Sequence, residues 1–435
     1  MALGGGTFVT QNKELPGAYI NFVSASSASS SLSDRGIATM PLELDWGVDG
    51  EIFEVSSGDF QKNCLKIFGY DYAHEKIKGL RDLFLNAQTL YAFKLTSGGK
   101  KASNDLAEAR YTGIRGNDLK SVIQKNADDE ALFNVDTFLD DVVVDEQTVK
   151  TAKELTANDF VIFKDSFELA VTAATPLTGG ENGTVNGEAY QKYLDKIESY
   201  SYNTMGVVVT DNTTKMLFES FVKRLRDEMG VKFQLVLYNK SSDYYGVINV
   251  KNKVLDEGVS EASLVYWVTG ISAGCEVNRS NQNKIYNGSF SVDVGYTQTQ
   301  LRQSIKAGEF ALHKVGSDIR VLEDINSMVT VSDTQGEIFK DNQTIRVIDQ
   351  IANDIAVLFT TKYLGVVPND PAGRISLWSD IVKHHEQLQE IRAIEDFADS
   401  DITVERGNTK KSVVVTDYVT IVNTMSKLYM TVTVA

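Results

Sequence analysis

The chain has 435 residues, 42% of them hydrophobic, which is long enough for about three domains and apolar enough to give each a core. Its 43 Lys and Arg against 59 Asp and Glu leave a formal charge of −16, a poor basis for gripping nucleic acid phosphates or an anionic membrane. Two distant cysteines, Cys64 and Cys275, exclude a disulfide framework, no run of about 18 apolar residues reads as a membrane span, and the first residues lack the pattern of a secretory signal.

Residues 7–23, TFVTQNKELPGAYINFV, are extended and apolar-rich, with a Pro16-Gly17 turn signal, and read as a strand arm. The Ser/Ala tract at 24–33 reads as a flexible tether. Strands follow at 37–44 and 52–55, a short helix begins at Ser57, and a helix at 72–86 carries Ile77, Leu80, Leu83 and Phe84 on one face. A strand at 89–95 ends this block before Gly98-Gly99. Residues 102–178 change character: short strand segments at 109–111, 131–139, 142–144, 160–163 and 169–174 alternate with Asp, Asn and Gly turns, the pattern of a small all-β module. The glycine-rich 177–184 closes it as a linker.

From 186 to 340 helices and strands alternate, which argues for layered α/β structure. Helices are expected at 188–199, from Asp211 or Asn212 to Met229 with Gly230 as the stop, at 261–273 behind Ser260, and at 298–307. Strands are expected at 204–210, 232–238, 245–250, 290–296, 311–315 and 319–323. Two long helices follow at 344–363 and 375–397, with Pro368 and Pro371 as breaks between them. After a Gly407-Asn408-Thr409 turn, residues 412–435 read as two strong β segments. Apolar strands at both ends must pair with something or become aggregation edges, so self-association is expected.

No constellation of side chains supports catalysis. Gly270-Ile271-Ser272-Ala273-Gly274 spells GxSxG, but that elbow needs a strand before it and a helix after it, and here the preceding residues read as a capped helix. A hydrolase would need His313, His384 or His385 as its base, and these fall on a strand and a helix. The glycines from 179 to 187 lack the GK[ST] ending of a phosphate loop. His384 and His385 point about 100° apart on a helix and read as a solvated or interface-facing pair. The acidic runs 128–130 and 140–141 read as a solvated face. No cofactor or metal is expected.

Several stretches together resemble a known family. They are GGGTFVTQNKELPGAYINFVS (4–24), SDRGIATMPLELDWG (33–47), ARYTGIRGNDL (109–119), SLVYWVTGISAGCEVNRSNQNKIYNG (263–288) and ERGNTKKSVVVTDYVTIVNTMSKLYMTVTV (405–434). In this order they resemble the tail sheath proteins of contractile-tailed phages, above all the short type of Gram-positive prophages and R-type bacteriocin particles. The resemblance implies a multidomain α/β plus all-β fold: a layered α/β core with a small inserted β-sandwich or barrel module, and extended strand arms at both termini. The implied division is an arm at 1–23, a tether at 24–33, core at 34–101, the β module at 102–178, an α/β domain at 179–340, C-terminal core helices at 341–406 and a second arm at 407–435.

It also implies a subunit that stacks as hexameric rings around an inner tail tube and contracts to drive that tube through a cell envelope. The arms would add strands to neighbouring copies through Phe8, Val9, Tyr19, Ile20 and Phe22 at one end. At the other they would use Val413, Val415, Tyr418, Val419, Ile421, Leu428, Tyr429, Met430, Val432 and Val434. The tether and the stretch 398–406 would act as hinges, the β module would face outward, and Lys383, His384, Arg392 and Glu395 on the second long helix would face the tube. Implied partners are further copies, the tail tube, baseplate and tail terminator proteins, with no nucleic acid and no membrane insertion. The implied location is the tail of a virion or bacteriocin particle, assembled in the host cytoplasm and released by lysis. A serine hydrolase using Ser272 and a non-contractile self-assembling scaffold are the alternatives.

Overall fold

The computed structural model of the chain describes residues 32–434. The expected N-terminal arm, with Phe8, Val9, Tyr19, Ile20 and Phe22, and all of the tether but Leu32 and Ser33 lie outside the described residues. The chain divides into two compact units: Asp34 to Asp349 joined by the residues from Asn423, and Gln350 to Val422 joined by Ser33.

The larger unit is built on a seven-stranded sheet. Its strands are β1 (Ile37–Leu42), β2 (Ile52–Ser56), β3 (Thr89–Lys94), β10 (Thr204–Val207), β11 (Gln234–Tyr238), β12 (Val247–Val250) and β13 (Glu309–Phe310), in the order β13-β12-β11-β10-β1-β3-β2. All pairs are parallel except β2 against β3. Both faces are covered, so the strands are near-continuous apolar runs rather than alternating ones. On one face Met40, Leu90, Val236 and Ile248 pack with α1 (Ser57–Phe68), α2 (Lys78–Phe84) and α5 (Leu264–Gly274). On the other, Phe93, Met205, Leu235 and Leu237 pack with α3 (Gly187–Ile197) and α4 (Asn212–Lys223). The helix expected at 72–86 is shorter, a 3₁₀ turn at Glu75–Ile77 leading into α2.

Between β3 and β10 in the chain lie β4 (Ala107–Ala109), β5 (Leu119–Lys125), β6 (Phe133–Leu139), β7 (Val142–Val149), β8 (Val161–Phe163) and β9 (Thr172–Pro176). They form a four-stranded antiparallel sheet, β7-β6-β5-β9, and the pair β4-β8, around a separate apolar core that includes Trp46. β5 is absent from the sequence expectation, although Leu119, Ser121 and Ile123 alternate inward. The segments entering and leaving this region run side by side, bridged at Lys100–Glu181 and Ser103–Thr178. A Cβ on Gly99 would sit 1.9 Å from the Glu181 carbonyl, and one on Gly183 would sit 2.0 Å from the Ser97 carbonyl. The glycines of this stretch serve that close crossing. Asp140 and Asp141 are exposed, as the sequence suggests, and Asp140 has a structural task as well: it occupies the left-handed region (φ 56°) in the β6–β7 turn and takes Arg115 bidentately at 2.9 and 2.7 Å.

The unit is completed by α6 (Gln298–Lys306), the hairpin β14 (Leu312–Val315) and β15 (Asp318–Val321), and the first part of α7 (Asn342–Leu358). Residues 290–296, expected as a strand, make only the bridge Val254–Val292; the Asp293 side chain accepts from Gly295 N at 3.1 Å and turns the chain there.

The smaller unit contains the rest of α7, a π-helical turn at Phe359–Tyr363, α8 (Pro371–Glu390), β16 (Ile394–Glu395), β17 (Ile402–Arg406), β18 (Val413–Asp417) and β19 (Thr420–Ile421). Pro371 does not break the chain. It begins α8, where its missing N–H costs nothing, behind Asp370, whose side chain accepts from Gly373 N at 2.7 Å. The helix ends at Glu390, well before the expected 397, because Arg392 adopts φ 62° and closes the last turn through Ala393 N to Leu388 O. Leu358, Leu377, Ile381, Val382 and Ile402 form the core of this unit.

Candidate functional site

Open α/β sheets place ligand sites outside the carboxyl ends of their strands, at the point where strand order reverses. Here that point is beside β1, and an open pocket of about 370 Å³ lies at the ends of β1 and β10. It is lined by Glu43, Tyr190, Asp211, Ser260, Ser263 and Tyr266 among others, with no His, Cys, Lys or Arg. Two of its polar groups are already occupied: Asp211 accepts from Thr214 N at 2.7 Å and Ser260 from Ala262 N at 3.3 Å, each capping a helix. No nucleophile with a base faces this pocket.

The GxSxG serine is elsewhere. Gly270, Ser272 and Gly274 lie inside α5, and the Ser272 side chain is buried with its Oγ lacking a hydrogen-bond partner among the described residues. The glycines let α5 lie against α2 and the chain beyond it: a Cβ at Gly270 would sit 2.3 Å from Leu83 O, and one at Gly274 2.0 Å from Asn86 O. This is helix packing, not a nucleophile elbow, and it removes the hydrolase reading.

The smaller unit carries a two-stranded hairpin with open edges. β17 and β18 form a hairpin across the Gly407 turn, in register from Arg406–Val413 to Ile402–Asp417. Among the described residues these strands pair only with each other, so each has a free edge. Trp378 on α8 donates its indole N–H to Ile402 O at 3.0 Å and holds the hairpin to the helix. β19 pairs with β16. Val413, Val415 and Ile421 therefore have ladder partners within this chain, and Tyr418 and Val419 lie between the two ladders. The stretch 398–406 is a 3₁₀ turn and the paired β17. Beyond β19 no helix or strand includes residues 422–434, which from Asn423 belong to the larger unit, and Leu428, Tyr429, Met430, Val432 and Val434 are 69–89% exposed. Five large apolar side chains in seven residues, all facing solvent, are far from the usual polar terminus.

Of the residues expected to face a tube, Lys383, Arg392 and Glu395 are exposed. Only Lys383 is on α8; Arg392 follows the helix and Glu395 is in β16. His384 is buried, as is His385, so the pair is not solvated. His384 Nε2 lies 3.0 Å from Asp354 Oδ2 on α7, and His385 Nε2 lies 3.0 Å from Asp417 Oδ2 on β18. Asp354 also accepts from Ser33 Oγ (2.5 Å) and Gln350 Nε2 (2.8 Å). Burial pushes the Asp354 carboxyl up, but the bonds from His384, Ser33 and Gln350 outweigh it and hold it below its usual range. Neither Asp354 nor Asp417 stands out in the sequence, because their partners are 30 and 32 positions away.

Known proteins match the chain along nearly its whole length. A phage tail sheath protein beta-sandwich domain matches residues 97–182, a phage tail sheath protein central domain 183–327, and a phage tail sheath C-terminal domain 334–435. The phage-like element PBSX protein XkdK of Bacillus subtilis (strain 168) is 32% identical, over 99% of this chain and all of that protein. The chain belongs to the phage tail sheath family. Its members are structural proteins, and so is this one; it is not an enzyme. A crystal structure of the sheath tail protein from Desulfitobacterium hafniense is 35% identical, covers 95% of this chain and 99% of its own, and superposes with a TM-score of 0.81. The helical sheath of the anti-feeding prophage in its contracted state shares the fold at 13% identity, with a TM-score of 0.58 over 97% of this sheath chain and 99% of that one.

Proposed function

We propose that this sheath protein is the subunit of a contractile tail, polymerising as stacked hexameric rings around an inner tube and contracting to drive that tube through a cell envelope. Two observations carry this reading: the exposed apolar segment at 425–434, and a two-stranded hairpin with free edges. A strand donated from a neighbouring copy satisfies both: it covers the apolar side chains and completes the ladder. Leu428, Tyr429, Met430, Val432 and Val434 are the donor residues, and β17–β18 is the acceptor. The N-terminal arm, through Phe8, Val9, Tyr19, Ile20 and Phe22, supplies a second donated strand. Each backbone bond contributes about 0.5–1.5 kcal/mol net, so a five-bond strand is worth a few kcal/mol, repeated at every copy.

Contraction then repacks rigid bodies while the donated strands keep their partners, with the tether at 24–33 supplying slack. The β-rich region at 102–178 is an insertion directed outward. Lys383, Arg392 and Glu395 face the tube. The partners are further copies, the tube, and the baseplate and terminator proteins of a virion or bacteriocin tail, assembled in the host cytoplasm and freed by lysis.

The test is negative-stain electron microscopy of the full chain beside a chain ending at Thr424. That end point keeps both ladders of the smaller unit and the Thr424 N to Gln343 Oε1 bond (3.0 Å). Hollow tubes from the full chain only, with equal thermal stability of the two monomers, are expected. Tubes from both chains would sink the donor role of 425–434. Polymers that never appear in two lengths would sink contraction.

A further inference from the structure

A chain of polar groups runs through the core of the smaller unit: Ser33, Asp354, His384, His385, Asp417. It joins the root of the N-terminal tether to the last residue of β18, where the C-terminal segment departs. The proton positions along it follow from which groups can only accept. A carboxylate only accepts, so His384 must carry its proton on Nε2, facing Asp354. His384 Nδ1 then offers a lone pair toward His385 Nδ1, 3.4 Å away.

His385 has no such freedom. Its Nδ1 lies 3.0 Å from the carbonyl oxygen of Ile381, which only accepts. Its Nε2 lies 3.0 Å from Asp417 Oδ2, within ion-pair range though off ideal hydrogen-bond geometry. The His385 side chain is 0% exposed, while the Asp417 carboxylate that meets it is 26% exposed. A neutral ring can donate from only one nitrogen; the other would press a lone pair against an oxygen from within a buried ring. A ring protonated on both nitrogens turns an N–H to the Ile381 carbonyl and sets its positive charge beside the Asp417 carboxylate. The groups that face it are His384 from α8, Asp417 from β18, the ring of Phe397 at 5.2 Å and, through His384, Asp354 from α7. The charges then alternate: anionic Asp354, neutral His384, cationic His385, anionic Asp417.

We propose that His385 is a charged clamp, an imidazolium that ties the end of β18 to α8 and lets the C-terminal segment go when it loses a proton. The clamp itself does not depend on the sheath reading; the segment's use in assembly does.

The test uses the unassembled full-length chain. With only four histidines, ring ¹⁵N spectra of a histidine-labelled sample are simple, and His385→Gln assigns the signal. Both His385 nitrogens are expected to show the protonated signature at the acid end of about pH 5–8, the range in which histidine changes charge. Hydrogen-exchange protection over residues 413–422, corrected for intrinsic rate, should fall by up to about tenfold per pH unit as that signature is lost. Asp417→Asn is the second variant: its amide can serve a neutral ring, so protection should persist and become independent of pH. A neutral His385 at the acid end, or wild-type protection that does not change with pH, overturns the proposal.

Discussion

Asp324 and Arg346 set the clearest test of how the larger unit is held together. Both side chains are 1% exposed, and Arg346 Nη2 donates to Asp324 Oδ2 at 2.7 Å and to Arg279 O at 2.9 Å. Asp324 also accepts from Asn281 N (2.8 Å) and Asn342 Nδ2 (3.0 Å). Asp324→Asn keeps the shape but strips the counter-charge from a buried guanidinium whose Nε and Nη1 have no hydrogen-bond partner among the described residues. Breaking one half of a buried pair costs about 3–5 kcal/mol, and that loss is expected here. Urea unfolding followed by tryptophan emission reads it, since Trp46 and Trp267 are both buried in this unit. The double variant Asp324→Leu, Arg346→Met should lose less than either single change, because it leaves no unpaired charge. The pH dependence has a definite sign. Burial pushes the Asp324 carboxyl up, yet Arg346 and the Asn281 amide outweigh it and hold it below its ordinary 3.8. The group's contribution is therefore present above about pH 4 and lost as pH falls through the lower folded value, and Asp324→Asn should remove that acid limb. A loss under about 1 kcal/mol, or an unchanged acid limb, would refute this account.

Three further outcomes follow from local geometry. Gly274→Ala places a Cβ 2.0 Å from Asn86 O and should cost about 1–3 kcal/mol in thermal or urea unfolding, whereas Ser272→Ala, which removes an unpartnered buried hydroxyl, should be within about 1 kcal/mol of neutral and leave tube formation intact. Arg392→Gly relieves a left-handed backbone (φ 62°) and should raise the stability of the smaller unit by about 1 kcal/mol; a fall would mean that the arginine side chain holds that unit together. Burial pushes the Cys64 thiol up to about 12 and also raises Cys275, so a thiol reagent near pH 8 should label the folded chain slowly and the urea-unfolded chain at once.

The sequence was most legible where local signals and tertiary packing agree. Strands β10 to β12 are short apolar runs, and Asp211 and Thr297 cap the helices that their neighbours announce, so element type and order could be read directly. It was misleading where one residue type serves two grammars. Pro371 reads as a breaker but sits at the first position of α8, and the GxSxG string reads as an elbow but is a helix using glycine for close approach. β5 was hidden because Lys120 and Gln124 on its outward face and Lys125 at its end masked the alternation of Leu119, Ser121 and Ile123.

The histidine pair shows why site chemistry was the least legible part. Adjacent side chains on a helix diverge, which is sound reasoning against one shared ligand site and leaves a solvated or interface-facing pair as the reading from sequence. Divergence instead lets each ring reach a different element, Asp354 on α7 and Asp417 on β18. Nothing near 384–385 in the chain signals those partners. The same holds for Asp140 and Arg115, 25 positions apart, and for Arg226 and Asp349, 123 apart. In a protein whose work is assembly, such long-range pairs fix how each body coheres. The apolar runs at 7–23 and 412–434, by contrast, are written locally and can be read from the chain alone.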